Sequence, residues 1–196
     1  NDRLGQESEI YIYDTLSGGA GFSRRIGELG FSIFKSALDI LENCPDNCDR
    51  SCYRCLRNYK NKFEHDLLDR MVGASLLRYL ITGKQPVIDE TRLRQSTELV
   101  YNDLVGHGLN VNTIKRDYVL SIPRFGEVIA PIFIECRDGS KVIICLHGPL
   151  TPGIPQDLVL DRMKDQYPAI TVIPVDELVV RRNLPSVTSS LIEQLV

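Results

Sequence analysis

Apolar side chains recur at Ile26, Leu29, Ile33, Phe34, Ala37, Leu38 and Leu41, spacings of three and four that place them on one face of a helix from about residue 22 to residue 41. Ahead of that helix, "EIYIYD" alternates Ile10 and Ile12 with other residues, which predicts a strand, and Gly18, Gly19 and Gly21 predict a tight loop between the two. A second helical pattern runs through "FEHDLLDRMVGASLLRYLITG", with Leu67, Leu68, Met71, Leu76, Leu77 and Leu80 on its buried side and Gly83 at its end. A third, "ETRLRQSTELVYNDLVGHG", closes at Gly106 or Gly108. The pattern then becomes strand-like in "VNTIKRDYVLSI", "EVIAPIFIEC" and "KVIICLHG", the last two joined by the turn "RDGS". A helix near "QDLVLDRMKDQ", a strand "AITVIPV" and a final helix from about Ser186 complete the chain. The fold class is therefore mixed α/β. A shift in composition at "TGKQPVIDETRLRQ" marks a boundary, giving an N-terminal module over 1–85 and an αβββαβα domain over 86–196.

Composition supports a folded protein: of 196 residues, 43% are hydrophobic and 25% charged. No apolar run reaches the roughly 18 residues needed to cross a bilayer, so no membrane association is expected. No segment combines a basic start, an apolar run and a small-residue cleavage site, which predicts a cytoplasmic protein. Because the chain begins with Asn1, it is expected to be a portion of something longer.

Four of the six cysteines fall in "CPDNCDRSCYRC", at Cys44, Cys48, Cys52 and Cys55. Disulfide frameworks belong to short secreted chains, and a thioredoxin-like reading of "CYRC" leaves the two upstream cysteines without a role. A tetrahedral Zn(II) site suits the spacing better, since ligand pairs two to four residues apart bring thiolates within reach of one ion. Pro45, Asp46, Asn47 and Asp49 are turn formers that a compact knuckle requires. Such a site is closed and structural. His65 lies ten residues beyond Cys55; with the tetrahedron already full, a hydrogen-bonding role is expected of it. Cys136 and Cys145 sit in strand-like runs, where a free cysteine is a small buried hydrophobe.

The net charge of −3 argues against a whole-chain grip on nucleic acid. A local patch remains: Arg50, Arg54, Arg57, Lys60 and Lys62 lie close together with Tyr53 and Tyr59 interleaved and Asp49 as the neighbouring acid. This mix either contacts phosphates and stacks on bases or solvates a loop. The "SGGAGF" loop before a helix either cradles a phosphate or makes a sharp turn; it lacks a P-loop's GK[ST] ending and the full GxGxxG spacing.

"YDTLSGGAGFSRRI", the cysteine cluster with "CYRCLRNYKN", and "HDLLDR", in this order over residues 8 to 83, resemble the zinc-binding module at the C-terminal end of many superfamily 2 DNA helicases and their partner proteins. That family includes MrfA-type repair helicases and the DrmB component of DISARM phage defence, and the resemblance is closer to the DrmB-like branch. It implies zinc on Cys44, Cys48, Cys52 and Cys55, DNA as a partner, and a helicase motor supplied in cis or in trans, because the motor motifs are absent from this chain.

The order of the second half is similar to the restriction-endonuclease-like PD-(D/E)xK core, which holds Mg(II) through an acid on its second strand and E-x-K on its third. Here "IAPIFIE" is apolar where the acid belongs, and Ile144 and Leu146 lie near the places of Glu and Lys. The resemblance implies a nuclease fold whose centre is gone. Glu98, Glu135 and His147 either converge on a non-standard metal site or lie apart, with His147 a loop residue. The expected function is a non-catalytic, zinc-binding, DNA-binding or helicase-docking part of an anti-phage protein, with no catalytic residue. Arg54, Arg57, Lys60, Lys62, Tyr53 and Tyr59 are its expected DNA contacts. A metal-dependent nuclease and a protein scaffold without DNA affinity are the alternatives.

Overall fold

A computed structural model describes residues 11–15 and 18–195 and divides the chain into two compact units, Asn1–Lys84 and Gln85–Val196.

In the first unit the expected long helix is two: α1 (Phe22–Leu29) and α2 (Phe31–Glu42). Gly30 between them takes φ 53° and ψ −135°, a conformation that side chains disfavour, and the helix breaks there. Residues 11–15 form no strand, and Ile10 lies outside the described residues. The second expected helix also divides. Residues Tyr59–Leu67 wind as a 3-10 segment, Leu68 is extended, and α3 begins only at Arg70 and runs to Thr82. The Asp69 side chain accepts the Met71 and Val72 amides, so an N-cap sits where periodicity had placed mid-helix. As a result Leu67, Leu76 and Leu80 are exposed rather than buried. Helices α2 and α3 pack closely: a Cβ added at Gly73 would sit 3.0 Å from Leu41, and Ala74 is buried beside it.

The second unit has the expected αβββαβα order: α4 (Glu90–Gly106), β1 (Thr113–Ile122), β2 (Gly126–Glu135), β3 (Lys141–His147), α5 (Leu158–Gln166), β4 (Thr171–Asp176) and α6 (Glu177–Leu195). Strands β1, β2 and β3 are antiparallel neighbours and β4 joins β3 in parallel. Helix α6 starts nine residues earlier than sequence implied, with a kink at Asn183. The Asn183 side chain accepts the Ser186 amide and caps the segment that carries Pro185.

The sheet is covered on both faces. Ile132, Ile134, Ile144, Leu146 and Val175 pack with Val100 and Leu104 of α4 and Val180 and Leu191 of α6. Val128, Ala130, Phe133, Ile143 and Val172 pack instead with Leu160 and Met163 of α5. Val128 and Ala130 share a parity with Ile132 and Ile134 yet belong to the opposite layer, so β2 rolls over at Pro131. Its register neighbours on β1 flank Asp117, which takes φ 49°, and proline has no amide to hold the ladder flat.

One polar node is sealed within this unit. Glu177 is fully buried at the start of α6. Its carboxylate accepts two bonds of 2.9 Å from the Arg92 guanidinium and one of 2.8 Å from the Ser96 hydroxyl, with Arg181 Nε 2.8 Å away. The bidentate pair ties α4 to α6. Glu177→Ala removes the buried carboxylate that Arg92, Ser96 and Arg181 share and is expected to cost about 3 to 5 kcal/mol, read from urea denaturation.

Candidate metal centre

Helix α2 delivers the chain directly into the cysteine cluster. Its last turn is closed by Asn43, whose side chain donates to Asp39, and Cys44 follows at once. Asn47 then takes φ 41°, a left-handed position that asparagine tolerates, and its amide closes a turn onto the Cys44 carbonyl at 2.9 Å. The second half of the knuckle folds around one acceptor: the Cys52 carbonyl receives the amides of Cys55, Leu56 and Arg57.

This backbone gathers four sulfurs. Cys44 to Cys48 is 3.8 Å, Cys44 to Cys52 is 3.5 Å, Cys48 to Cys55 is 3.7 Å and Cys52 to Cys55 is 3.8 Å. Four thiolates at about 2.3 Å from a tetrahedral zinc ion stand about 3.8 Å from one another, so these separations are those of a zinc tetrahedron. A disulfide would need about 2.0 Å, and all six cysteines are free. The Cys52 amide points at the Cys55 sulfur at 3.3 Å, and the Arg54 amide points at the Cys52 sulfur at the same distance, which favours the Cys52 thiolate. Burial nevertheless pushes the Cys52 thiol up to about 12, and burial with the Cys55 and Cys44 contacts raises Cys48. Cys44 moves the other way, to about 7, because the Cys48 and Asp46 amides outweigh its burial.

A residue outside the cluster holds it in place. The Arg70 guanidinium, itself buried, donates to the Cys48 carbonyl at 2.6 Å, the Leu41 carbonyl at 2.7 Å and Asn47 Oδ1 at 3.1 Å. It satisfies a carbonyl in the last turn of α2 and one within the metal loop with a single planar fork. The Arg70 amide also reaches the Arg50 carbonyl at 2.6 Å. Sequence reasoning included Asp69 and Arg70 in the motif HDLLDR but gave neither a role, although an aspartate before a resumed apolar run is an N-cap signal.

Residues 2–56 match the MrfA Zn-binding domain. The cluster is a zinc site, and Cys44, Cys48, Cys52 and Cys55 form the group of possible metal ligands among the described residues. The MrfA-like segment ends just past Cys55, so the Asp69–Arg70 clasp lies beyond it. The chain is also 42% identical over 81 residues to Druantia protein DruE of Escherichia coli strain UMEA 4076-1. That match covers 41% of this chain and 4% of the relative, so the chain spans a small fraction of that protein's length. No solved structure matches.

The sequence-predicted contacts lie on and after the zinc knuckle, Tyr59, Lys60 and Lys62 beyond the matched residues. Tyr53, Arg54, Tyr59, Lys60 and Lys62 are exposed. Arg57 is half-buried, and its Nε donates to the Ser51 hydroxyl at 2.9 Å. His65 stays out of the metal group: its Nε2 lies 3.1 Å from both the Asn58 carbonyl and Asn61 Oδ1, and its ring meets Tyr53 edge-on. In the glycine loop, Asp14 Oδ2 accepts the Gly21 amide at 3.1 Å and the Ser23 hydroxyl at 3.0 Å. A carboxylate already stands where α1 would present its first amides to an anion, which favours the turn reading.

In the second unit the places of the nuclease acids are solid core. Ile132 faces Ile144 across β2 and β3, and both are fully buried, with Leu146 nearly so. Glu98 is exposed and paired with Arg116 at 2.9 Å. Glu135 and His147 stand at opposite ends of β3, about 20 Å apart at strand rise, so the three do not converge. His147 Nε2 accepts the Gly153 amide at 3.1 Å, leaving the proton on Nδ1, which donates to the Gly148 carbonyl at 2.8 Å. It pins the loop after β3. Cys136 and Cys145 are buried, and burial together with Asp157 pushes the Cys145 thiol up to about 12.

Elemental mass spectrometry is expected to find one zinc per chain and to find it lost in Cys48→Ser. Arg70→Met leaves every thiol in place but is expected to weaken zinc affinity roughly 10- to 100-fold, measured by competition with a chromogenic chelator. Binding must strip protons from the raised Cys48 and Cys52 thiols. Apparent zinc affinity therefore climbs from pH 6 toward pH 8, and zinc uptake acidifies an unbuffered solution.

Proposed function

We propose that this chain is a non-catalytic, zinc-stapled DNA-binding and helicase-docking part of a larger anti-phage defence protein. The observation that carries this reading is the knuckle's outer surface, where Arg54, Lys60 and Lys62 reach solvent beside Tyr53 and Tyr59 on a backbone fixed by four thiolates. Cations of this kind neutralise phosphates and release counterions, while the rings offer stacking faces. Arg57, tied to Ser51, serves the knuckle's shape and adds to its positive charge.

Similarity to Druantia protein DruE, a defence-system protein, supports the antiviral setting, and a Druantia-like or DISARM-like assembly in the cytoplasm is the context proposed. Docking onto a superfamily 2 motor, in cis or in trans, is supported by Leu76, Tyr79 and Leu80, an exposed apolar stripe on α3. The packed apolar layer at Ile132, Ile144 and Leu146 is a reason to assign the second unit no cleavage chemistry. It belongs to the scaffold.

Binding to DNA is expected to weaken steeply with salt and to depend little on sequence. Alanine at both Arg54 and Lys60 should reduce the slope of log affinity against log salt by about one unit per residue, measured by fluorescence anisotropy. An unchanged slope removes these side chains from the interface, and Mg(II)-dependent cleavage lost in Glu98→Gln would favour a nuclease instead.

A further inference from the structure

Beyond the knuckle, the 3-10 segment Tyr59–Leu67 carries two rings that the chain holds out in water. Phe63 is 85% exposed and Tyr59 79%, the highest values among a set of exposed rings in this unit that also includes Phe22, Phe31 and Tyr53. Lys62 sits between them, its Nζ 5.0 Å from the Tyr59 ring centre and 4.8 Å from that of Phe63. The cation lies within cation–π reach of both rings and brackets them as neighbours on one exposed segment.

The backbone beneath is locked. Asn58 Oδ1 accepts the Lys60 and Asn61 amides, and Asn61 Oδ1 accepts the Asn58 amide in return, a reciprocal cap at the start of the segment. Asn61 Nδ2 donates to the Leu56 carbonyl at 2.9 Å, and His65 bridges Asn58 and Asn61. These bonds tie the segment to the residue that follows Cys55, and so to the zinc knuckle. Exposed aromatic rings on a rigid, metal-anchored backbone are arranged in advance for a flat ligand, with little ordering left to do on binding.

We infer that the Tyr59–Lys62–Phe63 ledge is a stacking platform for single-stranded DNA, with Phe63 as its principal base contact. The inference rests on the DNA-binding reading above and narrows its ligand. Bases in a duplex are already stacked on one another and show their edges, whereas an unpaired strand can lay its base faces on exposed rings. Lys62 adds a cation beside the stacked base, and Lys60 and Arg54 supply charge for the phosphates on either side. Glu64 and Asp66 match Lys60 and Lys62 in number, so the excess of positive charge comes from Arg54 and Arg57 ahead of the segment. Stacking is tolerant of sequence because every base has a π face, which fits a protein that reads no particular site.

Fluorescence anisotropy on the whole chain, with an oligothymidine of about 20 nucleotides and a blunt duplex of the same length, tests this. The single strand is expected to bind at least tenfold tighter. Phe63→Ala and Phe63→Leu are each expected to lose about tenfold on the single strand and little on the duplex, while Phe63→Trp keeps wild-type affinity. Because Phe63 is exposed, zinc content and circular dichroism should stay unchanged in all three. Equal affinity for the two DNAs, or full affinity in Phe63→Leu, overturns the stacking platform. Duplex binding alone overturns the platform and leaves the DNA-binding reading standing; binding to neither overturns both.

Discussion

Four sulfurs around one zinc ion replace a core that the N-terminal unit does not have. Among its described residues the buried apolar side chains are Leu41, Cys44 and Ala74, whereas the second unit packs two full layers on its sheet. Three helices and a knuckle with so little buried area cannot hold their arrangement by the hydrophobic effect alone. The metal supplies the missing free energy and does so locally, because its ligands span only residues 44–55. Everything else in the unit hangs from that point. Helix α2 leads into it, the 3-10 segment leaves it, and α3 is bound back to it by Arg70.

Arg70 shows how a small metal module extends its order beyond the ligands. One guanidinium reaches the end of α2, the Cys48 carbonyl and Asn47, so the metal loop and both packed helices share a single polar contact point. A lysine could not do this, since a point charge lacks the planar fork. The exposed basic and aromatic side chains after Cys55 inherit that rigidity. They project from a segment closed by the reciprocal Asn58–Asn61 cap and tied by Asn61 to the Leu56 carbonyl, so little backbone conformational entropy is left to lose there.

The second unit keeps an αβββαβα order while its interior differs from what a metal-dependent nuclease requires. Where carboxylates would meet, Ile132 and Ile144 face one another and pack beneath α4 and α6. One of its carboxylates serves structure: Glu177 binds Arg92, Ser96 and Arg181 in one sealed node. An ionic cluster of this kind fixes which helices meet without offering a site to solvent.

Much of this was legible in the order of residues. Zinc chemistry followed from the C-x3-C-x3-C-x2-C spacing, since ligand spacing is a local property that a short loop must satisfy whatever surrounds it. The strands of the second unit and their order followed from long apolar runs bounded by turn residues. Other features were set by tertiary contacts. Periodicity continued helices through Gly30 and Leu68, because a heptad-like count does not register a single residue's φ or a cap that forms only when Asp69 turns back on its own amides. The role of Arg70 was hidden because its partners lie 22 to 29 residues away in sequence. The reversal of faces at Pro131 required the opposing Asp117, and the separation of Glu98, Glu135 and His147 required the strand register. By itself the sequence determined which atoms can bind a metal and which segments of the second unit are strands; only the folded structure decided which carboxylates are sealed, which rings stay in water and which distant residues meet, because those depend on contacts between segments far apart in the chain.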